Sequence, residues 1–322
     1  WWPAPRSATR TWETAYANRI DRAVLAAALY REAGLEPMLV FRGNAFGDAD
    51  GRVPNLSWTD GPGLWVEGED VEGYFDPASA KFLPGPSALF RRAVWQPADG
   101  GMPSVRWGGG DAPSRLALRL DLRYDAENER WKGSGVLTAT GALSPFASMA
   151  GPKDESQQYL ATLAGAVLEG AEVIGYNPAA FDPSRVTVGF EIEAPAGKRD
   201  ALGRLPLRIA DPGALAPLLE HAAVQVHEEG RGSAVVLPGA IEQSVELHLD
   251  TGDLEVVHIP AASETANTAG SCVVAASRTE GEVVLRRDLS LAKERYAPQE
   301  WPALRGLLLA DGHEKNRLVL MK

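Results

Sequence analysis

Cysteine is almost missing from this sequence: 322 residues hold one, Cys272. That count excludes an intramolecular disulfide. Histidine is nearly as scarce. The five are His221, His227, His248, His258 and His313, and none falls in the first 220 residues. A Cys–His nucleophilic pair is therefore excluded from that region. No apolar run reaches the roughly 20 residues of a membrane-spanning helix. Positive charge is in deficit, with 32 Lys and Arg against 43 Asp and Glu, a net charge of -11 and a pI near 5.1. This balance argues against nucleic acid and anionic membrane as partners. An initiating methionine is also absent. The chain opens Trp1-Trp2-Pro3 and is read as a trimmed piece whose leader or preceding domain is out of sight.

What remains is an ordinary globular composition, 45% hydrophobic and 23% charged, with length for two or three domains. The clearest linker is the Gly/Pro-rich stretch 97–114, and a second break falls at 196–203. Three segments follow from these breaks: 1–97, a β-rich segment 113–200 with an inserted helix, and a β-rich segment 201–322. Seven of the nine tryptophans lie in the first 107 residues. Such enrichment marks either core packing or an interface.

The chain is organised around residues 15–43. Alanine-rich composition and a stripe of Ile20, Val24, Ala27, Ala28 and Leu29 predict a helix. Asn18 is its expected N-cap and Asp21 lies in the first turn, where the helix dipole favours an acid. Gly34 closes it, and Leu39-Val40-Phe41 reads as a buried strand. Residues 44–62 read as an irregular loop, followed by strands at Leu64-Trp65-Val66 and Gly73-Tyr74-Phe75. Beyond the linker, strands are expected at 116–122, 135–141, 171–174 and 186–192, with a helix over 157–168. In the last segment, strands at 205–209, 234–237, 243–249, 254–259, 271–276 and 282–291 have sandwich-like spacing. A short helix from Pro298 and a strand at Leu318-Val319-Leu320 complete the reading.

Two runs of residues carry a family resemblance. Asn18-Arg19-Ile20-Asp21-Arg22-Ala23-Val24-Leu25 and Leu29-Tyr30-Arg31-Glu32-Ala33-Gly34-Leu35 resemble the nucleophile helix of the bacterial transglutaminase-like (papain-like) fold. Gly73-Tyr74-Phe75-Asp76-Pro77 resembles that family's strand ending in Asp-Pro, whose Asp orients a catalytic His. Near the other end, Arg287-Asp288-Leu289-Ser290-Leu291 and Pro298-Gln299-Glu300-Trp301-Pro302-Ala303-Leu304-Arg305 resemble the close of multidomain proteins of the DUF3857/DUF3858 type. The resemblance implies an α+β fold, with a transglutaminase-like domain followed by β-rich, sandwich-like domains. It also implies a bacterial periplasmic or cell-envelope location.

One departure matters most. Arg19 stands where the family has its nucleophilic Cys, and no His exists between Val53 and Val66, where the family has its base. Arginine is no nucleophile and keeps its charge at ordinary pH. At a helix start that charge is misplaced, so Asp21 or another acid is expected to compensate it. Arg19 and Asp76 are thus vestigial triad positions, and no catalytic residue, metal ligand or cofactor is assigned. The function expected is a catalytically inactive binding or assembly module with a protein or peptide partner. The alternatives are an active hydrolase or transferase with a rebuilt, non-Cys site, and a glycan-binding sandwich protein.

Other chemistry is weaker. Gly108-Gly109-Gly110 lacks the Lys-Ser/Thr of a phosphate loop. The histidine spacings fit no zinc template, and His248 and His258 read as sheet-face residues. Glu228-Glu229 reads as surface charge, and Glu67-Gly68-Glu69-Asp70 as a solvated hairpin tip rather than a calcium loop. Cys272 sits in an apolar run and reads as a buried, inert thiol. A nucleophilic pair with His258 stays open at this level.

Overall fold

The computed structural model describes residues 4–43, 59–78, 80–84, 93–96, 104–107, 114–149, 153–182, 185–208, 226–232, 234–237, 240–293, 295–311, 313 and 317–322. The chain divides into two compact units, Trp1–Asp111 and Ala112–Lys322. It is an α+β protein, rich in strands.

The first unit opens with α1 (Ala8–Thr14) and α2 (Arg19–Glu32). The short α1 has no apolar periodicity to betray it. It is started instead by the Ser7 side chain, which accepts from the Arg10 N–H at 3.2 Å. Asn18 and Asp21 form a reciprocal capping box at the start of α2. Its end is a Schellman arrangement: Leu35 N–H donates to the Tyr30 carbonyl at 2.9 Å and Gly34 N–H to that of Arg31 at 3.0 Å. That geometry puts Gly34 at φ +81°, a left-handed conformation that suits glycine. The buried stripe of α2 is rotated from the expected one. Ala23, Ala26 and Ala27 face inward, while Leu29 is 53% exposed. Small side chains let the helix lie close on the sheet, which the larger residues would not.

That sheet contains β1 (Glu36–Gly43), β2 (Thr59–Glu67), β3 (Glu72–Asp76), β4 (Lys81–Pro84), β5 (Ala93–Gln96) and β6 (Ser104–Trp107). Among the described residues its order is β4-β3-β2-β1-β5-β6, all antiparallel. Residues 59–62 and 104–107, read from composition as loop and linker, are strand, because β1 and β5 supply them with hydrogen-bonding partners. Leu64, Val66 and Phe75 pack on α2, and Val40, Trp65 and Tyr74 form a second cluster.

The second unit runs β7 (Ser114–Asp125), β8 (Arg130–Thr140), α3 (Phe146–Met149), α4 (Lys153–Gly165), β9 (Glu172–Asp182), β10 (Arg185–Pro195), β11 (Leu205–Arg208), β12 (Val235–Val236), β13 (Ile241–Asp250), β14 (Val256–His258), β15 (Ser263–Asn267), β16 (Gly270–Thr279), β17 (Glu282–Leu291), β18 (Arg295–Tyr296), α5 (Trp301–Asp311) and β19 (Leu318–Met321). Its main sheet has the order β15-β16-β17-β13-β7-β8-β10-β9. Among the described residues every pairing in it is antiparallel except β7 with β13, which run parallel over ten residues. That pairing joins strands of segment 113–200 to strands of segment 201–322 in one sheet. Small sheets β11-β19-β14 and β12-β18 accompany it.

Strict alternation builds the core. Leu116, Leu118, Leu120 and Leu122 of β7 share the buried face with Ile241, Val245, Leu247 and Leu249 of β13 and with Val186, Val188, Phe190 and Ile192 of β10. Leu160 and Leu163 of α4, and Trp301, Leu304 and Leu307 of α5, cover that face. The opposite face carries charged cross-strand pairs such as Arg115–Glu242 and Arg119–Glu246.

Candidate functional site

The candidate site is the start of α2. The Arg19 Nη2 lies 3.1 Å from Asp76 Oδ1 at the end of β3, and the two side chains are only 26% and 16% exposed. The same Asp76 oxygen accepts the Ala78 N–H at 2.9 Å, so the carboxylate also shapes the turn after its own strand. Arg22, one turn along α2, donates to the carbonyls of Pro77 and Ala78 at 3.3 and 3.4 Å. Helix start and strand end are thus tied by two arginines.

Of the acids expected to balance Arg19, the one that does so is Asp76 rather than Asp21. Asp21 is fully buried and otherwise employed. Its Oδ1 accepts the Arg6 main-chain N–H at 2.8 Å and its Oδ2 accepts the Asn18 N–H at 3.2 Å. The Arg6 guanidinium lies 3.8 Å from Asp21 Oδ2 and stacks over the Tyr16 ring at 4.8 Å.

The neighbouring strand offers this pair no base. Leu64 and Val66 face α2, and alternation along β2 puts Pro62 on the same face. The β2–β3 register pairs Leu64 with Phe75, the residue before Asp76, and Asp76 itself pairs with Lys81 of β4. Gly63 is itself required, since a Cβ there would fall 2.2 Å from Tyr74 Oη. Proline, glycine and leucine can neither take nor give a proton. Arg19 and Asp76 are therefore brought together in a site with no thiol or imidazole among the described residues of the first unit.

The remaining singled-out groups are dispersed. Cys272 is buried, and burial first, with the nearby Asp311 carboxylate, pushes its thiol up to about 12. His258 is exposed on β14, in a different sheet from the Cys272 strand, so the two do not form a nucleophilic pair. His248 sits on the charged sheet face between Glu246 and Glu282 (3.3 Å to Glu282). Burial of its ring opposes the charged form, but the two carboxylates outweigh it and raise the pKa. His227 and Glu228-Glu229 are exposed. Glu67 accepts the Trp65 indole N–H at 2.6 Å and, with Glu69 and Asp70, stays exposed at the β2–β3 turn. Trp12 is 70% exposed, whereas Trp65 is 6% exposed. His221 and Gly108-Gly109-Gly110 lie outside the described residues. Among the described residues no group of three or more His, Cys, Asp and Glu could hold a metal. No described helix is long and apolar enough to cross a membrane.

The C-terminal motif is structural. Glu300 accepts the Ala297 N–H at 2.9 Å and pairs with Lys293. The Trp301 indole N–H donates to the Glu228 carbonyl and Arg305 Nε to that of Val226, both at 2.9 Å. The sequence reading missed the buried pair Arg287–Asp311, each side chain 6% exposed. Arg287 donates to Asp311 Oδ1 at 2.8 Å and to its main-chain oxygen at 2.6 Å, closing the C-terminus of α5. A signal was present: Arg287 occupies an inward parity position of β17, in line with Val283, Leu285, Leu289 and Leu291.

Comparison with known proteins adds the following. None of the curated proteins matches the sequence. A crystal structure of a protein from Parabacteroides distasonis, described as a "putative protease", aligns with a TM-score of 0.49 and 10% identity. The alignment covers 98% of this chain and 46% of that one, so this chain spans less than half of that protein's length. An acetylcholine-binding protein from Bulinus truncatus aligns with a TM-score of 0.15 and 6% identity, over 58% of this chain and 90% of its own. In family terms the similarity falls on the C-terminal part: residues 213–321, the region of the Trp301 motif, match the family described as "Domain of Unknown Function with solved-structure structure (DUF3858)".

Proposed function

We propose that the first unit is a transglutaminase-like domain without its chemistry, and that the chain works as a binding or assembly module of the bacterial envelope. One observation carries this reading: Arg19, at the helix position where the resemblance puts a nucleophile, is ion-paired with Asp76, the carboxylate that would orient a base. A catalytic thiol at a helix start needs an imidazole facing it and a carboxylate behind. Here the carboxylate remains, a guanidinium neutralises it, and the α2-facing side of β2 carries Pro62, Leu64 and Val66. A rebuilt site is the weaker reading, since Arg19 and Asp76 are engaged with each other. The envelope location rests on the resemblance alone.

The test is a reversal. Arg19→Cys alone should place a slow-reacting thiol at the start of α2. Arg19→Cys with Pro62→His should lower the pH midpoint of its alkylation by iodoacetamide by about one unit or more, as an adjoining imidazolium stabilises thiolate. Identical alkylation profiles for the two variants would remove the transglutaminase-like assignment. Turnover of a glutamine-peptide amide by the unaltered protein, lost in Asp76→Ala, would remove the inactive reading.

A further inference from the structure

We propose that the charged face of the eight-stranded sheet binds an extended, lysine- or arginine-bearing peptide segment. A depression of about 590 Å³ lies across this face, its lining drawn from β9, β10, β8, β7, β13 and β17. The short Ser134 side chain of β8 lies in its lining, in register with Asp121, Glu191 and His248 on the same face. Taller side chains of the adjoining strands form the walls. Six adjacent strands at about 4.8 Å spacing make a trough roughly 24 Å long, which about seven extended residues would fill.

Its charge selects the occupant. Five carboxylates line it (Asp121, Glu191, Glu193, Asp250 and Glu282) against two permanent cations, Arg123 and Lys132. Four of these acids already have basic partners: Arg119, Arg130, Arg123 and His248. Glu191 is exposed and makes no ion pair among the described residues. At one end stands Ile174, 55% exposed. A second depression of about 610 Å³ shares Arg123 and Lys132 with the first and adds the acids Asp125, Glu129 and Asp253 and one further cation, Arg199. An extended strand with alternating basic and apolar side chains meets these features in turn. The site lies within the second unit, so it stands whether or not the Arg19 reading does.

The experiment is fluorescence anisotropy of the whole protein with two labelled heptapeptides, alternating Lys-Val and alternating Glu-Val, at low and high salt. The basic peptide should bind, weaken with salt, and lose about tenfold in affinity with Glu191→Lys. Ile174→Ser should weaken it about threefold at either salt concentration. Both positions are exposed, so circular dichroism should confirm unchanged folding. The proposal is overturned by absence of binding, by equal binding of the acidic peptide, by an unchanged Glu191→Lys variant, or by displacement with equimolar spermine.

Discussion

At Arg19 a full positive charge sits at the positive end of a helix dipole, where an isolated cation would be disfavoured. The Asp76 carboxylate at 3.1 Å resolves the conflict in a setting mostly shielded from water. Removing one partner should therefore cost more than a surface pair would. Arg19→Met and Asp76→Asn are each expected to destabilise the first unit by about 1–3 kcal/mol, with a coupling of about 1 kcal/mol in a double-mutant cycle read by urea denaturation. Additive effects would mean the two side chains do not act together. His248 gives a prediction with a sign. Its folded pKa is raised, so its contribution is fully present below the unfolded value near 6.5 and fades as pH climbs through the folded value. The Tm difference between the wild type and His248→Gln should shrink between pH 6 and pH 8, as followed by calorimetry. The groups that set this are Glu246, Glu282 and Arg119. The residue Asp76 was legible from its Asp-Pro setting, whereas its partnership with Arg19, 57 positions away, was not.

Among the elements, α2 and α5 show two ways of fixing a helix. The first is anchored at its start by local signals, the Asn18–Asp21 box, which sequence spacing reveals directly. The second is anchored at its end by Arg287 of β17, a residue remote in sequence. Burying that pair is costly unless both partners stay. Arg287→Met should lower stability by about 3–5 kcal/mol, while Arg287→Met with Asp311→Leu should recover most of it, measured by chemical denaturation. Cys272 reports on the same element, because its thiol lies beside Asp311 and has its pKa near 12. At pH 8 only about one thiol in ten thousand is ionised. Ellman's reagent should thus leave the native protein unlabelled and modify one thiol after denaturation. Rapid native labelling would show that α5 lifts from the sheet.

For the whole molecule, the decisive contact is the parallel pairing of β7 with β13. It makes residues 114–322 depend on one continuous core, so a fragment 112–322 should fold with a cooperative thermal transition. Fragments 113–200 and 201–322 should each lack one, as read by circular dichroism and dispersed amide NMR signals. Two separate cooperative transitions from those halves would contradict this. From sequence alone came the exclusions, the capped helix α2, the alternating strands of the second unit and the absence of cysteine and histidine from the first 220 residues. Those features are local: a helix cap spans three residues and strand alternation has a period of two. Tertiary structure alone decided that Asp76 rather than Asp21 neutralises Arg19, that residues 104–107 are strand, and that one sheet crosses the break at 196–203. Each depends on which distant segments pair and in what register. Hydrogen-bond register is set by the summed packing of whole faces, and no window of sequence contains that sum.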